Sequence, residues 1–458
     1  MSKTIKLKQG FDIRLKGKAS ENLVQDISAS VYALKPTDFH HITRPKVLVK
    51  EGDRVKAGTP IFFDKQNPSV MLAAPVSGEV IEIKRGERRF PLEIKILADK
   101  TLEYEQHPTY NLEQISKLSR QEVTELMTKS GVWANIIERP FGLIAHPEHT
   151  PKAIFISGFD TSPLAPDYDL LLRGEEVALQ AGIEALRKLT DGKVYLSLSA
   201  KKPSKVLEGL QGVEINYFEG KHPAGNVGVH IHHLAPLTKG EYVWTVHPYG
   251  VAQIGKLFLK GIYDATTIFA LTGPEVASPQ YYKTYRGAQL RPFLKDNLTR
   301  DEHELRIISG NVLTGEKVNL DGFLGFYHHQ VTVIPEGNYY DFMGWILPIS
   351  KTSTSLSFHK GLGMLSVLFP KKEYVLDTNY HGEERPFVQT GIYEKVLPMD
   401  IYVEFLLKAC LTNDLDNMEA LGIYEVIEED IALCEFIDPS KQKMQKTLRE
   451  GIETLLNS

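Results

Sequence analysis

The sequence predicts a multi-domain α/β protein. Three observations carry that expectation: short glycine-punctuated strands between Lys46 and Leu97, strand and helix alternation from about residue 150, and a helical tail from about Pro398. At 458 residues the chain is too long for one hydrophobic core, so two to four domains are expected.

In the first region KVLV, IFF, VMLA, EVIEIK and LEIKIL are separated by EGD, KAG, VSG and RGERR. In LEIKIL, Ile94 and Ile96 share one face and Glu93 and Lys95 the other, the two-residue period of a half-buried strand. Short strands with glycine turns at this spacing indicate a small barrel or sandwich. The texture is that of a biotinyl- or lipoyl-carrier domain, which displays a cofactor-bearing lysine at a hairpin tip. The tip is expected at Asn67–Met71, just before Ala74-Pro75, and this stretch has no lysine. Lys65 falls ahead of the expected turn, so no cofactor arm is expected.

A polar helical stretch, NLEQISKLSRQEVTELMTKS, follows. KAIFISGF then predicts a strand and EEVALQAGIEALRKLT a helix, with Val177, Ala181, Ala185 and Leu189 on one face. KVYLSLS, VEINYF and YVWTV predict further strands, VAQIGKLFLKGI a helix and TTIFALTG a strand. Such alternation implies a largely parallel sheet. ELRIISG, KVNLDGFLGFYHHQVTVIPEG and MLSVLF predict β-rich hairpins. The tail ends in a helix whose Met444, Leu448, Ile452 and Leu455 form an apolar stripe, expected to be core.

Composition excludes several function classes. The net charge of −5, without a basic run interleaved with aromatics, argues against nucleic acid. No run of 18 apolar residues is present, and the basic N-terminus lacks the apolar centre of a signal peptide. Two cysteines, Cys410 and Cys434, make neither a disulfide framework nor a CxxC pair and suit a reducing compartment.

Three local patterns imitate sites. GVAQIGKL has phosphate-loop spacing at Gly250, Gly255 and Lys256, but Leu257 stands where a Mg²⁺-binding hydroxyl is needed. GLGMLS at 361–366 imitates a dinucleotide fingerprint in hairpin-like surroundings. In VGVHIHHLAP, His230 and His232 would share a face if the segment were a strand, yet no third metal ligand stands at a recognisable spacing; a surface or hydrogen-bonded role is expected for them, and for His328 and His329. No catalytic centre is visible in the residue chemistry.

The order of segments resembles three electron-transfer proteins: the flavin subunit of respiratory complex I, the C subunit of Rnf complexes, and the A subunit of the Na⁺-translocating NADH:quinone reductase. LKPTDFHHITRPKVLVKEGDRVKAG, DTSPLAPDYDLLL, HPAGNVGVHIHHLAPL, RIISGNVLTGEK, GFYHHQVTVIPEG and ALGIYEVIEEDIALCEFIDPSK are most similar to the last, and the likeness covers nearly the whole chain. It implies four parts: an N-terminal segment and carrier-like barrel-sandwich domain at 1–100, a Rossmann-like α/β domain at 101–287, a β-grasp region of SLBB type at 288–380, and a helical C-terminal domain at 381–458 resembling a degenerate iron–sulfur domain. Flavin-binding relatives have a glycine-rich loop where this chain reads SGVWANIIERPFG, with Trp133, Ile136 and Ile137 in place of glycines. Cluster-binding relatives have four thiolates in the tail, where this chain keeps Cys434.

The resemblance therefore implies a peripheral component of a six-subunit sodium pump on the cytoplasmic face of the inner membrane. It implies contact with the other five subunits, most directly the membrane-embedded B subunit, and a link to the quinone step. NAD, flavins and iron–sulfur centres are expected in partner subunits, with no metal and no cofactor bound by this chain. A flavin-dependent NADH dehydrogenase of Rnf or soluble type, and a scaffold without quinone contact, are the alternatives. A quinone head needs an apolar slot with hydrogen-bond donors. DFHHITR offers Phe39, His40 and Arg44; GVWANIIERPF offers Trp133, Arg139 and Phe141.

Overall fold

A computed structural model describes residues 3–340, 372–380, 383–387 and 391–458. GLGMLS and MLSVLF lie outside the described residues.

The N-terminal region forms two small sheets. One orders Val31–Leu34, Pro91–Ala98, Gly78–Arg85 and Arg54–Val55; the other orders Pro45–Val47, Pro60–Asp64 and Asn67–Ala73. Val55, Ile61, Phe62, Val70, Leu72, Val80, Ile94 and Ile96 fill the space they enclose. The alternation in LEIKIL holds: Ile94 and Ile96 are buried, while Lys95 pairs with Glu82 at 2.8 Å. The hairpin tip is not where the sequence put it. Asn67–Ala73 is a strand, Asp64 pairs with Asn67, and Lys65-Gln66 make the turn. A lysine does stand at the tip, flanked by Asp64 and Gln66. Val70 and Leu72 point inward, whereas Pro68 and Ser69 nearer the turn are exposed, and the strand reaches the turn through the pairing of Asn67 with Asp64.

The second region is a seven-stranded sheet in the order Thr4–Lys6, Glu214–Glu219, Lys193–Ser199, Ala153–Ser157, Val243–Val246, Ile136–Arg139, Leu143–Ile144. The first five strands run parallel; Ile136–Arg139 pairs antiparallel with Val243–Val246, and Leu143–Ile144 pairs antiparallel with Ile136–Arg139 in turn. From Ala153–Ser157 the chain winds outward through two strands on one side, then returns to Val243–Val246 on the other. This reversal of winding creates a crevice beyond the carboxyl ends of those two strands.

The helices Glu176–Leu186 and Pro248–Lys260 cross at glycines. A Cβ on Gly255 would lie 1.7 Å from the Ala178 carbonyl oxygen, and one on Gly182 2.1 Å from that of Val251. Ala181, Ala185 and Leu189 are buried as expected, but Val177 is 63% exposed. The contact face is set by this close crossing, so Ala178 and Gly182 face inward in its place. GVAQIGKL lies inside the second of these helices, with no loop to cradle a phosphate. Lys256 is buried between Glu175 at 2.6 Å and Asp264 at 3.3 Å.

A third sheet orders Glu316–Val318, Leu305–Ser309, Gln330–Pro335, Thr266–Thr272, Gln280–Tyr285 and Leu23–Val24. The strand TTIFALTG thus joins this sheet and not the parallel one. In the tail, Val403–Thr412, Leu415–Ala420, Glu428–Ile437 and Met444–Leu456 are helices around their own core, which includes Met444, Leu448 and Ile452. Cys410 and Cys434 are buried there, and burial raises both thiols' pKa values, that of Cys410 to about 11.

Candidate functional site

The crevice opens into a cavity of about 590 Å³ where the parallel sheet, the third sheet and the tail meet. Ser157, Thr245, Val246 and His247 come from the ends of the two switch-point strands. Arg286, His328, His329 and Gln330 come from the third sheet, and Ile427, Glu428 and Glu429 from the start of a tail helix. A space of this size suits a small-molecule ligand.

Its histidines are neutral, and their hydrogen bonds define which nitrogen holds the proton. His247 caps the helix Pro248–Lys260: its Nδ1 accepts from the Tyr249 amide at 3.2 Å, so Nε2–H donates to the Tyr168 hydroxyl at 3.0 Å. The Tyr168 proton is left to donate elsewhere. His329 stacks on His247, with centroids 4.6 Å apart, and its Nδ1 faces the Ile268 carbonyl at 3.2 Å. Burial, with the charge of Arg286 behind it, drops the pKa of His247 to about 3; burial and Lys35 drop that of His328 to about 4.

The acids of the wall have partners. Arg139 donates to Asp430 at 2.9 Å and to Glu429 at 2.5 Å, and Arg449 forks onto Glu428, at 2.6 Å on one arm. Asp38 pairs with Lys35 at 2.9 Å. Burial raises the pKa of Glu429 to about 7 against the pull of Arg139, helped by the neighbouring Asp430 and Asp160 carboxylates.

The six residues singled out in the sequence are brought together only in part. His40 and Arg139 both line the cavity. His40 is accessible from it although protein surrounds it on most sides; that desolvation, with the Arg449 charge, lowers its pKa. Phe39 is buried against Phe326 and Tyr327, at 4.8 and 5.7 Å between centroids. Trp133 is wholly buried, edge-on to Trp244, and donates Nε1–H to the Ala145 carbonyl at 2.7 Å. Phe141 packs on Tyr424 at 6.4 Å, and Arg44 is exposed beside the barrel.

The paired histidines of VGVHIHHLAP prove helical, at Val227–Leu234, so His230 and His232 do not share a face. His230 donates Nε2–H to the Ala224 carbonyl at 2.9 Å and His232 meets Glu425 at 2.6 Å, the hydrogen-bonded role expected of them. The helix wins because Asn226 starts it where the chain leaves the Glu214–Glu219 strand and must cross back over the sheet. Among the described residues no group of three His, Cys, Asp or Glu could hold a metal ion. Arg286, His247 and Tyr168 were not singled out from the sequence: the first two are isolated polar residues just past strand ends and the third opens the short helix Tyr168–Leu171, with no spacing signal.

Three family models match the chain. Residues 5–99 match an NqrA N-terminal barrel-sandwich hybrid domain, residues 118–263 an NqrA second alpha/beta domain, and residues 268–319 an NQRA C-terminal domain. The A subunit of the Na(+)-translocating NADH-quinone reductase of Yersinia pestis bv. Antiqua (strain Angola) is 38% identical over 453 residues, which span 97% of this chain and 98% of that one. The chain belongs to the NqrA family, the A subunits of these reductases. The homologous protein of Tolumonas auensis is 37% identical over 97% of this chain and 98% of its own, and that of Pasteurella multocida 35% over 98% and 99%. Membership extends from the barrel-sandwich domain through the tail helices, so the cavity walls all lie within the matched length.

Proposed function

We propose that this chain is the peripheral A subunit of a Na⁺-translocating NADH:quinone reductase, and that its switch-point cavity receives a quinone head group. The observation that carries the reading is the 38% identity maintained over 97% of the chain. Among the described residues no helix is long and apolar enough to cross a membrane, so docking would be through protein surface, most directly on the membrane-embedded B subunit, at the cytoplasmic face. NAD, flavins and iron–sulfur centres would lie in the other subunits. In this reading the second domain is Rossmann-like and the third of β-grasp type.

The cavity suits a quinone because apolar Ile137, Ile144 and Val246 share it with donors at His40, Tyr168 and the arginines. Of the six sequence candidates, His40 and Arg139 are the pair that we assign to it; Phe39 and Trp133 would act through the packing behind the wall.

A photoreactive quinone applied to the assembled complex tests this. We expect labelled peptides from residues 136–144 or 245–247, diminished in Ile137→Trp and His40→Trp variants that fill the space. Label confined to other subunits would leave a scaffold without quinone contact. A stoichiometric flavin retained by the purified chain through gel filtration would instead favour a flavin-dependent dehydrogenase.

A further inference from the structure

Two arginines line the cavity and are buried to a similar depth, but their surroundings differ sharply. Arg139 has two carboxylates. Arg286 has none among the described residues. It is 4% exposed; its Nη2 donates to the Asn135 side-chain oxygen at 2.7 Å, and its Nε and Nη1 have no partner in good hydrogen-bond geometry, the neutral Tyr263 hydroxyl being the other polar group that interacts with the guanidinium. The guanidinium lies 4.1 Å over the Phe326 ring, with Tyr249, Tyr263 and Tyr327 around it.

An arginine cannot shed its charge as a buried lysine does. One aromatic face compensates only a small part of the desolvation of a guanidinium, and neutral tyrosines supply no counter-charge. Burial pushes the Arg286 pKa down, the sign of a cation held in an unfavourable place. The surrounding histidines stay neutral partly because this charge faces them. The acids described in the wall have other partners: Arg139 serves both Glu429 and Asp430, Arg449 serves Glu428 and Lys35 serves Asp38, while Asp160 takes the neutral Ser162 amide at 2.7 Å. None of them pairs with Arg286, whose guanidinium lines a cavity wide enough for a ligand with two nitrogens lacking a charged acceptor.

We propose that the Arg286 end of the cavity is a binding site for an oxyanion, the phosphate or carboxylate group of a small ligand. Nε–H stands on the side edge of the guanidinium and Nη1–H on its end edge. Both nitrogens are closed to water, so an oxygen of a phosphate or carboxylate that reaches either edge meets a charged donor with no charged acceptor. Asn135 fixes the third nitrogen, and Phe326 fixes the plane. The neutral Tyr168 and His328 offer further donors without adding charge. This site needs no quinone in the cavity and goes beyond that reading.

The test uses the full chain and two probes, inorganic phosphate and succinate, each titrated against chloride at constant ionic strength. Thermal unfolding and, for phosphate, the ³¹P line width are read. We expect one of the two anions at millimolar concentration to raise Tm by about 2 °C or more. Arg286→Gln should abolish the shift, and Arg286→Lys, which keeps charge but not the planar donor set, should leave a reduced one. The Lys variant decides the matter where the Gln variant does not fold. In chloride alone Arg286→Gln should be no less stable than the parent, because it removes an unmatched charge. No shift with either anion in the parent protein, or an undiminished shift in the variants, overturns the proposal. The anion that works tells phosphate from carboxylate, and the result stands whether or not the quinone test succeeds.

Discussion

The Arg139 guanidinium donates to the Asp430 carboxylate at 2.9 Å across 291 residues of sequence, joining the antiparallel edge of the parallel sheet to the tail. Both side chains are almost wholly buried. Gly228 makes room: a Cβ there would lie 2.2 Å from an Asp430 carboxylate oxygen. Removing one partner strands the other's charge in the interior. Arg139→Met or Asp430→Leu alone is expected to destabilise by about 3–5 kcal/mol, and the double variant by less than the sum. Urea unfolding of the four proteins measures the coupling. Additive losses would show that the two residues act independently and that the tail is held by other contacts.

The crossing of Glu176–Leu186 with Pro248–Lys260 depends on missing side chains. A methyl group on Gly255 would overlap the Ala178 carbonyl, and only a shift of one helix relieves it. Gly255→Ala is expected to cost about 2–3 kcal/mol, whereas Gly209→Ala, on a site with nothing within 4 Å, should be close to neutral. The comparison of the two in denaturant unfolding separates crowding from helix propensity.

Much of this arrangement was legible in the sequence. The buried strands VYLSLS and VWTV, the alternation at Ile94 and Ile96, and the stripe from Met444 to Ile452 all follow from burial periodicity, and each is where it was expected. What was not legible depends on partners distant in the chain. Val177 is outside because Gly182 and Gly255 choose the contact face, and that choice needs two helices at once. His230 sits on a helix because the chain must cross the sheet, although VGVHIHH alternates as a strand would. The cavity was half visible: His40 and Arg139 were found by donor chemistry, but Arg286 matters only because no carboxylate faces it among the described residues, and such an absence has no local pattern.

Lys256 tests the phosphate-loop imitation from another side. Burial works to raise the Asp264 carboxyl, yet the Lys256 charge and the Thr266 hydrogen bonds outweigh it and leave the pKa lowered. Lys256→Met leaves Glu175 and Asp264 without their shared cation. A stability loss of about 3 kcal/mol is expected, with no effect of added ATP and Mg²⁺ on Tm in the parent or the variant. A nucleotide-induced Tm rise lost in the variant would return the helix to consideration as a phosphate site.

Acid should weaken the fold well before the carboxylates of a typical protein would. Burial lowers the pKa values of His222 and His328 to about 4, and of His230 and His247 to about 3, from an unfolded value near 6.5. His230 shows why: Nε2–H is spent on the Ala224 carbonyl, and Nδ1 is buried without an acceptor for a second proton. A depressed folded pKa means that the unfolded chain binds more protons, so the stability these groups contribute is present above pH 6.5 and lost as pH falls toward 4 and 3. Each fully titrating histidine contributes a slope of about 1.4 kcal/mol per pH unit. Glu429, raised to about 7, runs the other way between pH 4.5 and 7, since it binds its proton more tightly when folded. His40, His107, His233 and His329 are lowered with these four, while Asp38, Asp160 and Glu435 are raised with Glu429, so the histidines outnumber the carboxyls and set the sign. Urea midpoints taken between pH 7 and 5 should fall steadily, and His230→Gln should flatten the fall by about one proton's share even if it lowers stability at pH 7. A midpoint unchanged over that range would mean that the buried imidazoles take up protons in the folded state.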